Sequence, residues 1–156
     1  MNGQEALRHI LATLAYRMRR TLRGIPESFW GFEGRDGAPT PQGILQQTNS
    51  GLIYALLVLQ TGDYGYHTDL RALDPPGETA RFYTTLEALD HELSNRADLS
   101  DDLLLRVLQG PLAEAMARIG QLLQLRDLAG IPAEEEDFIE AQIRWGQVGP
   151  EPPELE

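Results

Sequence analysis

The chain has 156 residues, the size of one domain with a single core. Twenty-four carboxylates against 13 basic residues leave a formal charge of −11, a field that repels nucleic-acid phosphates and anionic membranes. Cysteine and lysine are both absent, which excludes disulfides, thiolate ligands, a Schiff-base lysine and a P-loop lysine.

Hydrophobic residues make up 42% of the chain, enough for a packed interior. Met1 to Leu11 lacks the pattern of a signal peptide. The most apolar stretch, Gly51 to Leu59, falls short of the roughly 20 apolar residues that span a bilayer. The expectation is a cytoplasmic protein with neither nucleic-acid nor membrane partners.

Leu7, Ile10, Leu11, Leu14, Met18 and Leu22 recur at helical spacing, with Arg8, Arg17, Arg19 and Arg20 between them. Gly24 and Pro26 stop this first helix. Ser28 to Pro41 is rich in Gly and Pro and reads as a loop, and its Phe29, Trp30 and Phe32 suit a lid packed on the bundle. Thr40-Pro41 opens a second helix that runs to about Leu59 and is apolar around much of its circumference. Thr61 to Gly77 reads as a connecting loop.

A third helix is predicted from about Glu78 to Asn95 on the Phe82, Leu86, Leu89 and Leu93 stripe. Ser100 caps a fourth helical stretch, with Asp101 and Asp102 in its first turn. Gly110-Pro111 kinks or restarts this stretch, and Gly130 and Pro132 end it. Glu134 to Trp145 is read as a short fifth helix. Residues 1–148 form the expected domain, and residues 149–156 a Pro/Glu-rich tail. The fold class is all-α, packed as a bundle.

An ordered set of motifs carries a family resemblance. Gly120-Gln121 is followed by an apolar stretch, Arg126 and the Gly130-Ile131-Pro132 stop. Leu108 to Leu112 precedes it and Ala141 to Gly146 follows. Upstream stand Ile25 to Trp30 and Thr40 to Leu45. In this order the segments are similar to those of the DinB-like proteins. The resemblance implies an up-down four-helix bundle, often a homodimer, and for many members a nickel or zinc ion held by three histidines. One ligand position falls on the second helix; the others lie three and seven residues before the late glutamine.

Here those positions hold Gln47, Arg118 and Glu114. Glutamine is a poor transition-metal ligand, and arginine has no lone pair to give. One carboxylate without imidazoles is not a nickel or zinc site. His9, His67 and His91 share no ligand spacing. No metal or other cofactor is expected. Glu114 and Arg118 are four apart on one helix, the spacing at which an ion pair forms. Gln121 stands one turn on, and Tyr54 lies two turns from Gln47 on the second helix. Gln47, Tyr54, Glu114, Arg118 and Gln121 are thus the candidate pocket.

Two functions follow. The first is a binding or interaction protein that holds a small, anionic molecule at Arg118, since guanidinium pairs bidentately with carboxylate or phosphate. The second is an enzyme of the family's kind. The resemblance implies small-thiol-dependent transfer for some members, and Glu114 is the acid–base candidate in a metal-free version. An adjacent arginine makes a carboxylate a weak base near neutrality.

Overall fold

The computed structural model describes residues 1–151; the expected tail falls on residues 152–156 outside them, apart from Gly149 to Glu151. All regular structure among the described residues is helical, without a strand. Helix α1 spans Gly3–Leu22, α2 Pro41–Thr61, α3 Pro75–Asn95, α4 Asp101–Val107 and α5 Ala113–Leu128. Leu108–Leu112 is a π-helical turn that joins α4 to α5 into one long bent rod. None of these helices is long and apolar enough to cross a membrane.

Local chemistry sets the helix ends. Asn2 and Glu5 form a capping box at the start of α1. Thr40 and Ser100 accept backbone N–H groups at the starts of α2 and α4. At the end of α5 Gly130 takes φ 79°, a conformation that favours glycine. The Gly130 and Ile131 N–H groups then donate back to the Asp127 and Arg126 carbonyls, closing a Schellman motif.

Two boundaries differ from the sequence reading. Helix α3 begins at Pro75, because Asp74 caps it and Pro75 and Pro76 occupy the first-turn positions that need no N–H donor. Glu134 to Trp145 holds only one 3-10 turn, Phe138–Glu140. The rest is an extended strap along α1. Its groups are engaged sideways: Arg20 Nε lies 2.9 Å from Glu136 Oε2, the Tyr16 hydroxyl donates to Glu136, and Arg17 stacks 3.9 Å over the Phe138 ring. A helix here would turn half of these groups away from α1.

The helix directions correct the simple up-down alternation. Gln4 at the start of α1 donates to the Leu93 carbonyl near the end of α3 at 2.7 Å, so these two run antiparallel. Asn49 in α2 donates to Glu78 at the start of α3 at 2.8 Å. Arg96, just past α3, donates to the Leu59 carbonyl near the end of α2 at 3.2 Å. Helices α2 and α3 are therefore parallel neighbours. Arg126, late in α5, reaches the Thr21 carbonyl at the end of α1, which makes α1 and the α4–α5 rod parallel as well.

The connection from Gly62 to Asp74 makes this arrangement possible. It runs back along α2: Tyr54 donates to the Tyr64 carbonyl at 2.7 Å, Thr68 to the Ser50 carbonyl at 3.3 Å, and Gln42 to the Leu73 carbonyl at 3.0 Å. The chain thus returns to the end at which α2 began before α3 starts.

The core is filled from all four sides, by Leu11 and Met18 of α1, Leu45 and Leu52 of α2, Phe82 and Leu86 of α3, and Leu112 and Leu122 of the last rod. Phe29 sits in a short 3-10 turn, Glu27–Gly31, and is buried at 2% exposure. Two polar features lie inside. Glu78 is fully buried between Asn49 and Arg81. Arg126 is 6% exposed and forms no ion pair among the described residues; Nε donates to the Ile131 carbonyl at 2.9 Å and Nη1 to the Thr21 and Arg23 carbonyls at 2.9 and 2.8 Å.

Candidate functional site

The expected pocket residues sit on α2 and α5, which face each other antiparallel. Between them, under the returning connection, lies an open groove of about 800 Å³. Gln47 and Tyr54 line it from α2, Glu114 and Arg118 from α5. Antiparallel packing brings Gln47 level with Arg118, and Tyr54 level with the π turn. Gln121 is exposed and stands outside the groove.

Arg118 lies across a bare patch of α2. A side chain at Gly51 would begin 3.5 Å from its Nη1, in ordinary van der Waals contact. Nη1 points to the Gln47 carbonyl at 3.5 Å, the outer limit of a hydrogen bond. Glu114 Oε2 is 4.0 Å from the same nitrogen, and the Glu114 side chain is 63% exposed. Exposed i, i+4 pairs contribute only about 0.3–0.5 kcal/mol. A guanidinium has five N–H donors, and among the described residues those of Arg118 meet only these two long contacts. Its charge is directed into the groove without a strong internal partner.

The other groove residues were not singled out from the sequence. Gln46 and Ser50 come from α2 and Thr68 from the returning connection. Ser50 is one helical turn from Gln47, the periodicity that could have found it. Thr68 carried no such signal, because nothing local says that the connection doubles back. Tyr54 contributes its ring, while its hydroxyl is committed to the Tyr64 carbonyl. Gly110 and Pro111 of the π turn close one end. Proline supplies no N–H there, and single π turns inside α-helices occur often at functional sites.

The donor set does not fit nickel or zinc. Glu114 is the one carboxylate lining the groove, and a guanidinium occupies the space beside it. Among the described residues no three His, Asp or Glu side chains come together as a ligand group. His9, His67 and His91 are exposed on α1, the returning connection and α3.

The aromatic segment after α1 does not cover this groove. Phe29 is packed into the bundle, and Trp30 lines a separate cleft at the seam of α1 and α3. No protein-family model matches the chain, and neither a curated protein nor a solved structure matches it.

Proposed function

We propose that the chain is a DinB-like bundle whose groove between α2 and α5 binds a small anion in place of a metal. The observation that carries this reading is the placement of Arg118, a cation aimed into a polar groove where, among the described residues, its nearest carboxylate is Glu114 at 4.0 Å. Gln47, Ser50 and Thr68 add neutral hydrogen-bonding groups around it. The overall charge of −11 disfavours large polyanions. At physiological salt its reach is limited to roughly 8 Å, so a small anion is governed by the groove itself. Carboxylate or phosphate geometry matches the guanidinium fork.

Calorimetric titration with succinate and with inorganic phosphate tests this. Saturable binding is expected, with at least about a tenfold loss in Arg118→Met, one charge-assisted contact being worth that much or more. No binding by either anion, or equal binding by the variant, would overturn it. Elemental analysis that found one tightly held nickel or zinc per chain would overturn the metal-free part. The proposal includes a homodimer, which light scattering tests; a monomer at all concentrations removes it. An enzymatic role would rest on Glu114, the one carboxylate lining the groove, and loss of a measured activity in Glu114→Gln with the fold intact would favour it.

A further inference from the structure

The groove between α2 and α5 holds one charge of each sign. Among the described residues Arg118 and Glu114 are the charged groups of its lining; the rest, including Gln46, Gln47, Ser50 and Thr68, is uncharged. The lining is therefore neutral, although the chain as a whole carries −11. Glu114 Oε2 lies 4.0 Å from Arg118 Nη1. A tight charge-assisted bond is about 2.7–2.9 Å long, so the two groups face each other across a gap. Both keep open surface, with 63% of the Glu114 and 27% of the Arg118 side chain exposed. An exposed pair of this kind contributes little, so a ligand that parts it forfeits little.

This arrangement discriminates among small ions. A plain anion on Arg118 brings a second negative charge close to Glu114, and like charges at such range repel. A cation on Glu114 meets the same difficulty at Arg118. A molecule with both signs on neighbouring atoms answers both groups at once. An α-amino acid has that form, because its ammonium sits on the carbon next to its carboxylate. The amides and hydroxyls of the neutral walls donate and accept hydrogen bonds, which suits an uncharged polar side chain.

We infer that the ligand of this groove is an α-amino acid with a neutral polar side chain, its carboxylate on the Arg118 guanidinium and its ammonium on the Glu114 carboxylate. The inference rests on the reading of the groove as an anion site and names the anion. Such a zwitterion is neutral overall, so the excess negative charge of the chain does not oppose its entry.

Calorimetry with three probes tests this: L-glutamine, its deamino analogue 4-carbamoylbutanoate, and L-glutamine amide, which lacks the carboxylate. L-glutamine should bind saturably and at least about tenfold tighter than either analogue, the share expected of one charge-assisted contact. Glu114→Gln should move the two carboxylates in opposite directions. It should weaken L-glutamine about tenfold, by loss of the ammonium contact, and tighten 4-carbamoylbutanoate, by loss of a like charge. A merely structural role for Glu114 would shift both the same way. The Glu114 side chain is largely exposed, so the variant should keep its helical circular dichroism. No binding of L-glutamine, equal affinity for L-glutamine and either analogue, or a preference for L-glutamine that survives Glu114→Gln overturns the inference. If succinate or phosphate still binds and Arg118→Met abolishes it, the anion reading stands without the amino acid. If none of the anions binds, both fall.

Discussion

Replacing Arg126 with methionine keeps the length and most of the apolar stem of the side chain and removes the guanidinium. Three close bonds disappear, to the carbonyls of Thr21, Arg23 and Ile131, together with a long one of 3.5 Å to the Arg20 carbonyl. Because α1 and α5 run parallel, their C-terminal ends meet, and each brings the negative end of a helix dipole. The guanidinium bonds to carbonyls at both exits, so it answers two like partial charges at once. Charge-assisted hydrogen bonds are worth about 1.5–3 kcal/mol each in burial. The Arg23 and Ile131 carbonyls lie near solvent, where water recovers part of that, while the Thr21 carbonyl is buried, leaving about 1 kcal/mol apiece on average and about 3 kcal/mol in all. For a chain of this size the melting temperature should fall by about 6–12 °C. Thermal and urea unfolding followed by circular dichroism at 222 nm measures it. Arg126→Lys should lose about half as much, since one ammonium cannot span both helix exits. A methionine variant within about 0.5 kcal/mol of the parent, the range of a neutral surface change, would refute the reasoning.

Two further outcomes follow from the structure. Tyr83 has a folded pKa raised from 10.0 to about 12 by burial, so the unfolded chain loses its proton first. Stability from this group is full below pH 10 and is lost as pH rises towards 12; urea midpoints at pH 9, 10 and 11 should fall, and Tyr83→Phe should flatten the fall. Phe138→Ala removes the ring beneath Arg17 and the edge contact with Tyr16. It should cost about 1–2 kcal/mol and speed proteolysis in the strap around residues 134–145, while amide exchange in the α2 and α3 cores stays unchanged.

The legible parts of this molecule were those set by neighbours in sequence. Thr40-Pro41, Ser100 and Gly130 mark helix ends through bonds that close within a few residues, and the helices begin or end at them. Pro75-Pro76 misled because the same dipeptide suits a loop and a helix first turn; the deciding residue is Asp74, whose side chain accepts from Gly77 N–H at 2.8 Å. The acidic run Glu134 to Asp137 resembled a helix start, yet its partners lie on α1, more than a hundred residues away in sequence. Helix direction was illegible for a related reason. Periodicity identifies the buried face of a helix and is silent about which end points up. At the groove, the alignment of Gln47 with Arg118 depends on that direction, and Thr68 joins them only through the path of the connection.

That path sets a limit on the whole architecture. Helix α3 can lie parallel to α2 only if the chain regains the length of a helix, roughly 30 Å for α2, between Gly62 and Asp74. An extended chain covers at most about 3.3–3.6 Å per residue, so roughly nine residues are the minimum. The present connection exceeds this by a few residues, and that slack is what lets Thr68 and Leu73 dip onto α2 as it passes. Cut to the length of the short Arg96–Ser100 link between α3 and α4, the same connection would leave room only for an antiparallel hairpin. Connection length, more than any helix, acts as the topological switch of this bundle.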